Sequence, residues 1–189
     1  MTSPERGLAR LHLDSLERRH NPKLVAAVYS AINSFISIAL IATAAMLSHQ
    51  PLVFPSLGPT AFLLFSTPTL PTASPRNTVL GHLIGIGAGA LGLAITGLLA
   101  VPPNLADVTF PRVLAAAIAL GLTCGLMPLL GLSHPPAAAT TLIIALGLLR
   151  TPHQLLVTFL GVLLITAQGI AINRLAGVRY PLWAPEKAH

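Results

Sequence analysis

The stretch Ser133-His-Pro-Pro-Ala-Ala-Ala-Thr-Thr-Leu-Ile-Ile-Ala-Leu-Gly147 decides what kind of fold this chain can form. It is apolar, but it opens on a proline pair and closes on a glycine. Proline disfavours helix in the residue before it and is tolerated in a first helical turn, so the spacing predicts an extended approach and then a half-helix starting near Pro135 or Pro136. Such a helix is too short to cross a ~30 Å hydrocarbon layer, which takes about 20 residues. A second stretch of the same kind runs from Pro51 to Pro68, with its half-helix expected near Gly58 or Pro59. Lipid cannot satisfy non-helical backbone, so both breaks are expected to face protein or a water-filled cavity.

Outward from these breaks lie four apolar segments long enough to span, at residues 24–48, 78–100, 112–132 and 153–173. Composition agrees with them: 53% of the 189 residues are hydrophobic and 8% charged, and the mean hydropathy is +0.77, outside the range of soluble domains. Between Leu24 and Asn173 only Arg76, Asp107, Arg112 and Arg150 are charged. The excess of 11 Lys and Arg over 5 Asp and Glu lies mostly at the two ends, the pattern of segments kept on the cytoplasmic side. Nucleic-acid binding is therefore not expected despite a pI near 10.8. Residues 1–23 carry both charge signs and precede an apolar run longer than a secretory signal core, so that run is expected to remain as an anchor.

The expected fold is an all-α membrane protein with four full transmembrane helices and two broken or re-entrant half-helices, arranged as two structural repeats, 24–100 and 112–173. Residues 1–23 form a basic, amphipathic cytoplasmic segment and 174–189 a cytoplasmic tail. If the broken segments cross, there are six crossings and the halves are inverted, three against three; if they re-enter, there are four and the halves are parallel. Six is favoured, because an eight-residue extended stretch adds about 25 Å of reach to a short helix. Arg76 then lies on the cytoplasmic side. The expected location is the bacterial inner (plasma) membrane, as a multi-pass protein.

Within this frame His134-Pro135-Pro136-Ala137 puts an ionisable side chain directly before a half-helix at membrane depth. Helix starts offer unpaired amides and the positive end of the peptide dipole, which favour an anion. Thr140 and Thr141 add hydroxyls one turn on, and Ser56, Gly58, Pro59 and Thr60 supply the equivalent start in the first half. Two such ends facing each other would make a small anion cage. Arg76, Asn77 and His82 are candidates for a vestibule or gate. Gly81, Gly85, Gly89 and Gly92 recur at spacings that let another helix approach closely, and packing within the protomer or a dimer contact is the expected use. Asn33, Gln168 and Asn173 are expected to hydrogen-bond between helices, and Cys124 to act as a small buried hydrophobe.

No Asp or Glu lies in a spanning segment, which disfavours cation pumps and proton relays built on carboxylates. No paired carboxylates, Gly-x-Ser-x-Gly elbow or His-Glu-x-x-His zinc signature is present, so no enzyme activity, cofactor or metal is expected. The expected partners are a small anion and the bilayer, with a homo-oligomer compatible.

Pro55-Ser-Leu-Gly-Pro-Thr-Ala-Phe-Leu-Leu-Phe65, Pro75-Arg-Asn-Thr-Val-Leu-Gly-His82 and His134-Pro-Pro-Ala137, in that order, resemble the motifs of the HPP family of integral membrane proteins. The resemblance covers roughly residues 20–175. It implies a small multi-pass transporter-like protein, with nitrite the substrate proposed for some relatives, and it carries the family motifs onto Ser56, Gly58, Thr60, Pro75, Arg76, Asn77, Gly81, His82, His134, Pro135, Pro136 and Ala137. The chain departs from the family pattern at Pro59 and Ala138, where a small residue and a glycine are common, and this leaves the anion open between nitrite, nitrate, formate and bicarbonate. The CBS region that some relatives carry after the membrane domain is not expected here.

Overall fold

The computed structural model describes residues 12–185; the first eleven residues of the basic N-terminal segment and the last four residues lie outside them. The elements are α1 (Leu13–Glu17), α2 (Pro22–Ser48), α3 (Leu57–Ser66), a 3-10 turn (Pro71–Ala73), α4 (Pro75–Ile95), α5 (Phe110–Leu129), α6 (Pro136–Ala145) and α7 (Pro152–Leu175). All the described secondary structure is helical, and α2, α4, α5 and α7 are long and apolar enough to cross a membrane. The two short helices have ten residues each and start where their prolines predict.

The long helices begin one to three residues earlier than hydropathy predicts, for a local reason. Proline occupies the first turn of each, and a polar residue before it caps three of them. Asn21 accepts from the amides of Lys23 and Leu24, Ser74 from Asn77, and Thr151 forms a capping box with Gln154. α4 stops at Ile95, short of the expected 100, because Gly97 turns left-handed at φ 70°.

Hydrogen bonds fix which ends share a face. Leu13 N–H donates to Ala176 O at 3.0 Å, Arg76 N–H to Trp183 O at 3.0 Å, and the Tyr180 hydroxyl to Ala73 O. The start of α2, the start of α4 and the end of α7 therefore lie together, at what is called here the near face. The Arg76 guanidinium donates to Leu130 O and Gly131 O, which brings the end of α5 there too. At the far face Arg112 donates to Ala145 O, Val101 O and Pro102 O, and Arg150 to Leu99 O. The end of α3 is near: Ser66 pairs with Ser30 at 2.6 Å and Leu64 O accepts from Asn173 at 3.0 Å. The end of α6 is far, at Arg112. Each broken segment thus starts at one face and ends at the other.

Glycine sets how closely these pieces pack. A Cβ at Gly81 would stand 2.9 Å from the His134 Cβ, at Gly85 2.7 Å from Ala137 O, and at Gly89 2.8 Å from Ile144. The glycine stripe of α4 is the bed on which α6 lies, which is the first of its two expected uses, packing within the protomer. Gly92 serves α5 instead, with Ala115 O 2.6 Å from its missing Cβ. α7 does the same for the first break: Gly161 faces Leu52 O at 2.8 Å and Gly169 faces Leu64 at 3.1 Å. Each half-helix therefore beds on a long helix from the other half of the sequence. α2 by contrast exposes Val28, Ile32, Phe35, Leu40 and Leu47, the surface an outer helix offers to lipid.

Burial raises the pKa of the Tyr180 phenol, whose neutral form is the one that donates to Ala73 O. The unfolded chain would ionise this group near pH ~10 while the folded one holds its proton, so the contribution is present below about pH 10 and declines as pH rises further. Tyr180→Phe is expected to cost about 1 kcal/mol and to remove that alkaline loss, measured by thermal melts and by the fluorescence of Trp183, the chain's one tryptophan.

Candidate functional site

The two half-helix starts meet, and His82 of α4 fills the space between them. Ser56 Oγ lies 2.6 Å from Thr140 Oγ1, and Thr140 Oγ1 lies 2.7 Å from His82 Nδ1. His82 Nε2 is 3.2 Å from His134 Nε2 and 3.0 Å from Thr60 Oγ1, which also reaches His134 Nε2 at 3.3 Å. His134 Nδ1 is 2.8 Å from the carbonyl of Thr72 in the 3-10 turn. The rings stand edge to face with centroids 4.9 Å apart. Ser56, Thr60, His82, His134 and Thr140 are all fully buried.

One carbonyl fixes the direction of this chain of bonds. Thr72 O can only accept, so the neutral His134 imidazole carries its proton on Nδ1 and leaves Nε2 bare. His82 must then donate from Nε2, which leaves its Nδ1 to accept from the Thr140 hydroxyl, and Thr140 accepts from Ser56. The bonds run Ser56 to Thr140 to His82 to His134 to Thr72. Thr60 donates back to Ser56 O at 2.9 Å, which leaves its oxygen as an acceptor beside His82.

The remaining candidates are disposed around this line. Ala137 is buried on the α4 bed, and Thr141 bonds Thr123 of α5 at 2.8 Å and Ala137 O at 3.0 Å, behind the histidines. Pro136 is buried, whereas Gly58, Pro59 and Pro135 are exposed and shape the breaks from outside. Asn77 ties the 3-10 turn to Ser133 O through Nδ2, and its Oδ1 is buried without a partner. Arg76 covers the end of α5 rather than facing the histidines.

The amides invoked for an anion cage are already engaged. Leu57 and Gly58 donate to Phe54 O and Pro55 O, and Ala137 and Ala138 donate to His134 O and Pro135 O. Ser56 and Pro135 are themselves helical, with no side-chain cap. In this closed arrangement the two starts enclose imidazoles and hydroxyls, not open amides.

Cys124 is exposed, contrary to expectation. Its neighbour Thr123 takes the inward direction on α5, which turns the thiol outward. Asn173 does bridge helices, donating to Leu64 O and accepting from Tyr29, but Asn33 bonds only its own helix at Tyr29 O, and Gln168 Oε1 is buried and unpaired. Among the described residues no three His, Cys, Asp or Glu gather as a metal site.

Sequence reasoning missed Thr72, Thr123 and Arg112. Thr72 contributes only a carbonyl, which leaves no side-chain signal. Thr123 is an intramembrane hydroxyl and could have been noticed as such. Arg112 is buried at 4% exposure, with its guanidinium over the C-terminal carbonyl of Ala145 at the dipole's negative end. It also borders a far-face pocket of about 310 Å³ with Asn104, Asp107 and Thr109. Arg112→Gln is expected to cost ~2 kcal/mol through lost charge-assisted bonds, measured as a fall in thermal midpoint, and Arg112→Lys less.

The transmembrane-region profile of the HPP family matches residues 19–181, which holds every residue of this site. The chain belongs to the HPP family. This HPP chain is also similar to a transmembrane protein of Dictyostelium discoideum, 28% identical over 133 residues. That match takes in 68% of the HPP chain and 44% of the longer relative, so the chain spans less than half of that protein's length. No solved structure matches it.

Proposed function

We propose that this HPP protein is a transporter for a small monovalent anion, nitrite foremost, and that Ser56, Thr60, His82, His134 and Thr140 form its central binding site. The observation that carries this reading is the pair of histidines buried in mutual contact where two broken segments meet. Ionisable groups inside membranes mark solute and ion paths, and interrupted helices in corresponding positions mark transporter sites. With no carboxylate among the groups in contact with the pair, the site favours a negative solute over a metal cation.

The same proposal takes residues 24–100 and 112–173 as inverted repeats that cross the membrane three times each. The crosswise bedding of α6 on α4 and of α3 on α7 supports this, as do the matching Ser74-Pro75 and Thr151-Pro152 caps. Arg76 at the near face and Arg112 at the far face are the basic groups by which an anion would approach from either side. The near face, with the start of α2 and the end of α7, is taken as cytoplasmic, in a bacterial inner membrane. Both roles are those of a carrier, without catalysis.

A second reading, a structural membrane module, draws on the completeness of the bonding around the histidines. Uptake of nitrite into proteoliposomes, with nitrate, formate and chloride as competitors at two pH values, tests between them. Saturable uptake blocked selectively by one anion is the expected result. Folded and inserted protein that moves none of these anions leaves the structural module as the better account.

A further inference from the structure

We infer that the His82–His134 pair takes up one proton with each anion, so that the site works as an electroneutral proton–anion symporter. This rests on the transport reading above and specifies what travels with the anion. The inference comes from the one-way order of the hydrogen bonds. In the closed state every proton in the line points toward Thr72 O, and the bare Nε2 of His134 is the terminal acceptor. A further proton entering this line has one place to stay.

The proton that His82 holds on Nε2 passes to His134 Nε2, making His134 an imidazolium that keeps its Nδ1–H on Thr72 O. His82 in turn receives the hydroxyl proton of Thr140 on Nδ1, Thr140 receives that of Ser56, and Ser56 receives the incoming proton. One N–H bond breaks and two form, and two O–H bonds break and two form, so the net gain is one proton and one positive charge. Afterwards the line points the other way: His134 donates to His82 Nε2, His82 Nδ1–H to Thr140, and Thr140 to Ser56. The Ser56 hydroxyl, which donated to Thr140, now has its proton free for an outside acceptor.

Two consequences make an anion that acceptor. The positive charge sits among fully buried groups, where an unpaired charge is costly. The groups that face the two imidazoles are Ser56 and Thr60 from the α3 start, Thr140 from α6, Gly81 on α4 itself, and the Thr72 carbonyl from the 3-10 turn. None of these is charged or titratable in the working pH range. The charge that balances the added proton must therefore come from the solute, and the reversed line presents a hydroxyl donor to it. Without the proton Ser56 donates inward, and no donor greets an anion.

The test uses the full chain in proteoliposomes containing a pH-sensitive dye, with nitrite and separately formate as the probe and protein-free vesicles as the baseline for leak of the free acids. Potassium and valinomycin clamp the membrane potential at either sign. The expected result is one proton entering with each anion and a rate that the potential does not change; movement of a lone charge would shift accumulation about tenfold for each ~60 mV. Anion uptake without protons, or with net charge, overturns the inference and leaves the transport reading standing. Absence of any protein-dependent anion uptake defeats the transport reading itself.

His134→Asn serves as the conservative variant, since its amide N–H can still donate toward Thr72 O while offering no nitrogen that accepts a proton. Its proton uptake per anion is expected to fall about tenfold or more; retention of the wild-type ratio overturns the inference. Nitrogen-15 NMR of the histidine-labelled protein in bilayers gives a readout that does not depend on flux. It should find the neutral His134 ring protonated at Nδ1 and the His82 ring at Nε2, and the opposite pair of tautomers overturns the proposed direction.

Discussion

His134→Ala is expected to abolish anion uptake and to lower the thermal midpoint in detergent. The imidazole is the meeting point of three elements: α4 through His82, α3 through Thr60 and the 3-10 turn through Thr72. Its removal leaves the Thr72 carbonyl without its partner and His82 Nε2–H with Thr60 Oγ1 alone, at about 1–3 kcal/mol for a buried group left bare. Hydrogen bonds within membranes often measure less than this, so ~2 kcal/mol in total is the working figure. Stability and function separate in the companion variants. His134→Asn can retain the Thr72 bond and should recover part of the melting loss, together with a residual anion uptake that no longer carries protons. His82→Ala should match His134→Ala in uptake, and the double variant should be little worse than either, because the two rings act as one unit. Strictly additive losses, or full uptake by either Ala variant, would show that the pair is packing and not a site.

Gly85→Leu should be among the most damaging single changes in the long helices, and Gly87→Leu among the mildest, although the two positions are only two residues apart. Even a Cβ at Gly85 comes 2.7 Å from Ala137 O and 2.9 Å from Thr141 Oγ1, and the first of these is backbone that cannot turn aside. α6 would have to lift off α4, carrying His134 away from His82. Overpacking of this kind costs about 1–3 kcal/mol for a single extra group and more for an isobutyl chain. At Gly87 an added Cβ meets nothing within 4 Å. Gly87→Ala should be neutral or gain up to ~1 kcal/mol from helix propensity. Thermal melts of Gly85→Ala, Gly85→Leu, Gly87→Ala and Gly87→Leu, with uptake on the same samples, check the contrast. Equal effects at the two positions would mean that α6 does not lie on this stripe.

Those two glycines also mark how far sequence alone reaches. The interval of four from Gly81 to Gly89 announces a close helix contact, because small residues at that spacing have that use in lipid. It does not name the partner: α6 is brought onto α4 from some fifty residues away by a fold-level crossing that no local pattern encodes. The half-helices were legible because proline acts on its own neighbourhood. The sidedness of the breaks was not, since it depends on contacts such as Tyr180 with Ala73 and Arg112 with Ala145. Of the site, His134, Thr60, Thr140 and Ser56 were readable as polar residues at helix starts, and His82 as a polar residue inside a span. What could not be read was that the imidazoles occupy the cage and that its amides are engaged. The direction of the hydrogen-bond line depends on a backbone carbonyl at Thr72, which any residue could supply.

The crosswise bedding also governs how the protein can be made. The extended backbone that leads into α3 is sheltered where Leu52 O rests on Gly161, and ribosomes add roughly 5–20 residues each second. About a hundred residues must follow before α7 arrives, so this stretch waits some 5–20 s in or beside the insertion machinery with bare amide groups that lipid cannot satisfy. A nascent chain halted before Pro152 is expected to keep residues 49–56 open to protease or to a water-soluble thiol reagent at an introduced cysteine, and a chain released beyond Leu175 to close them. A helix made about a hundred residues later is thus the lock for the second segment inserted, and quality control of the described bundle comes down to whether α7 is delivered.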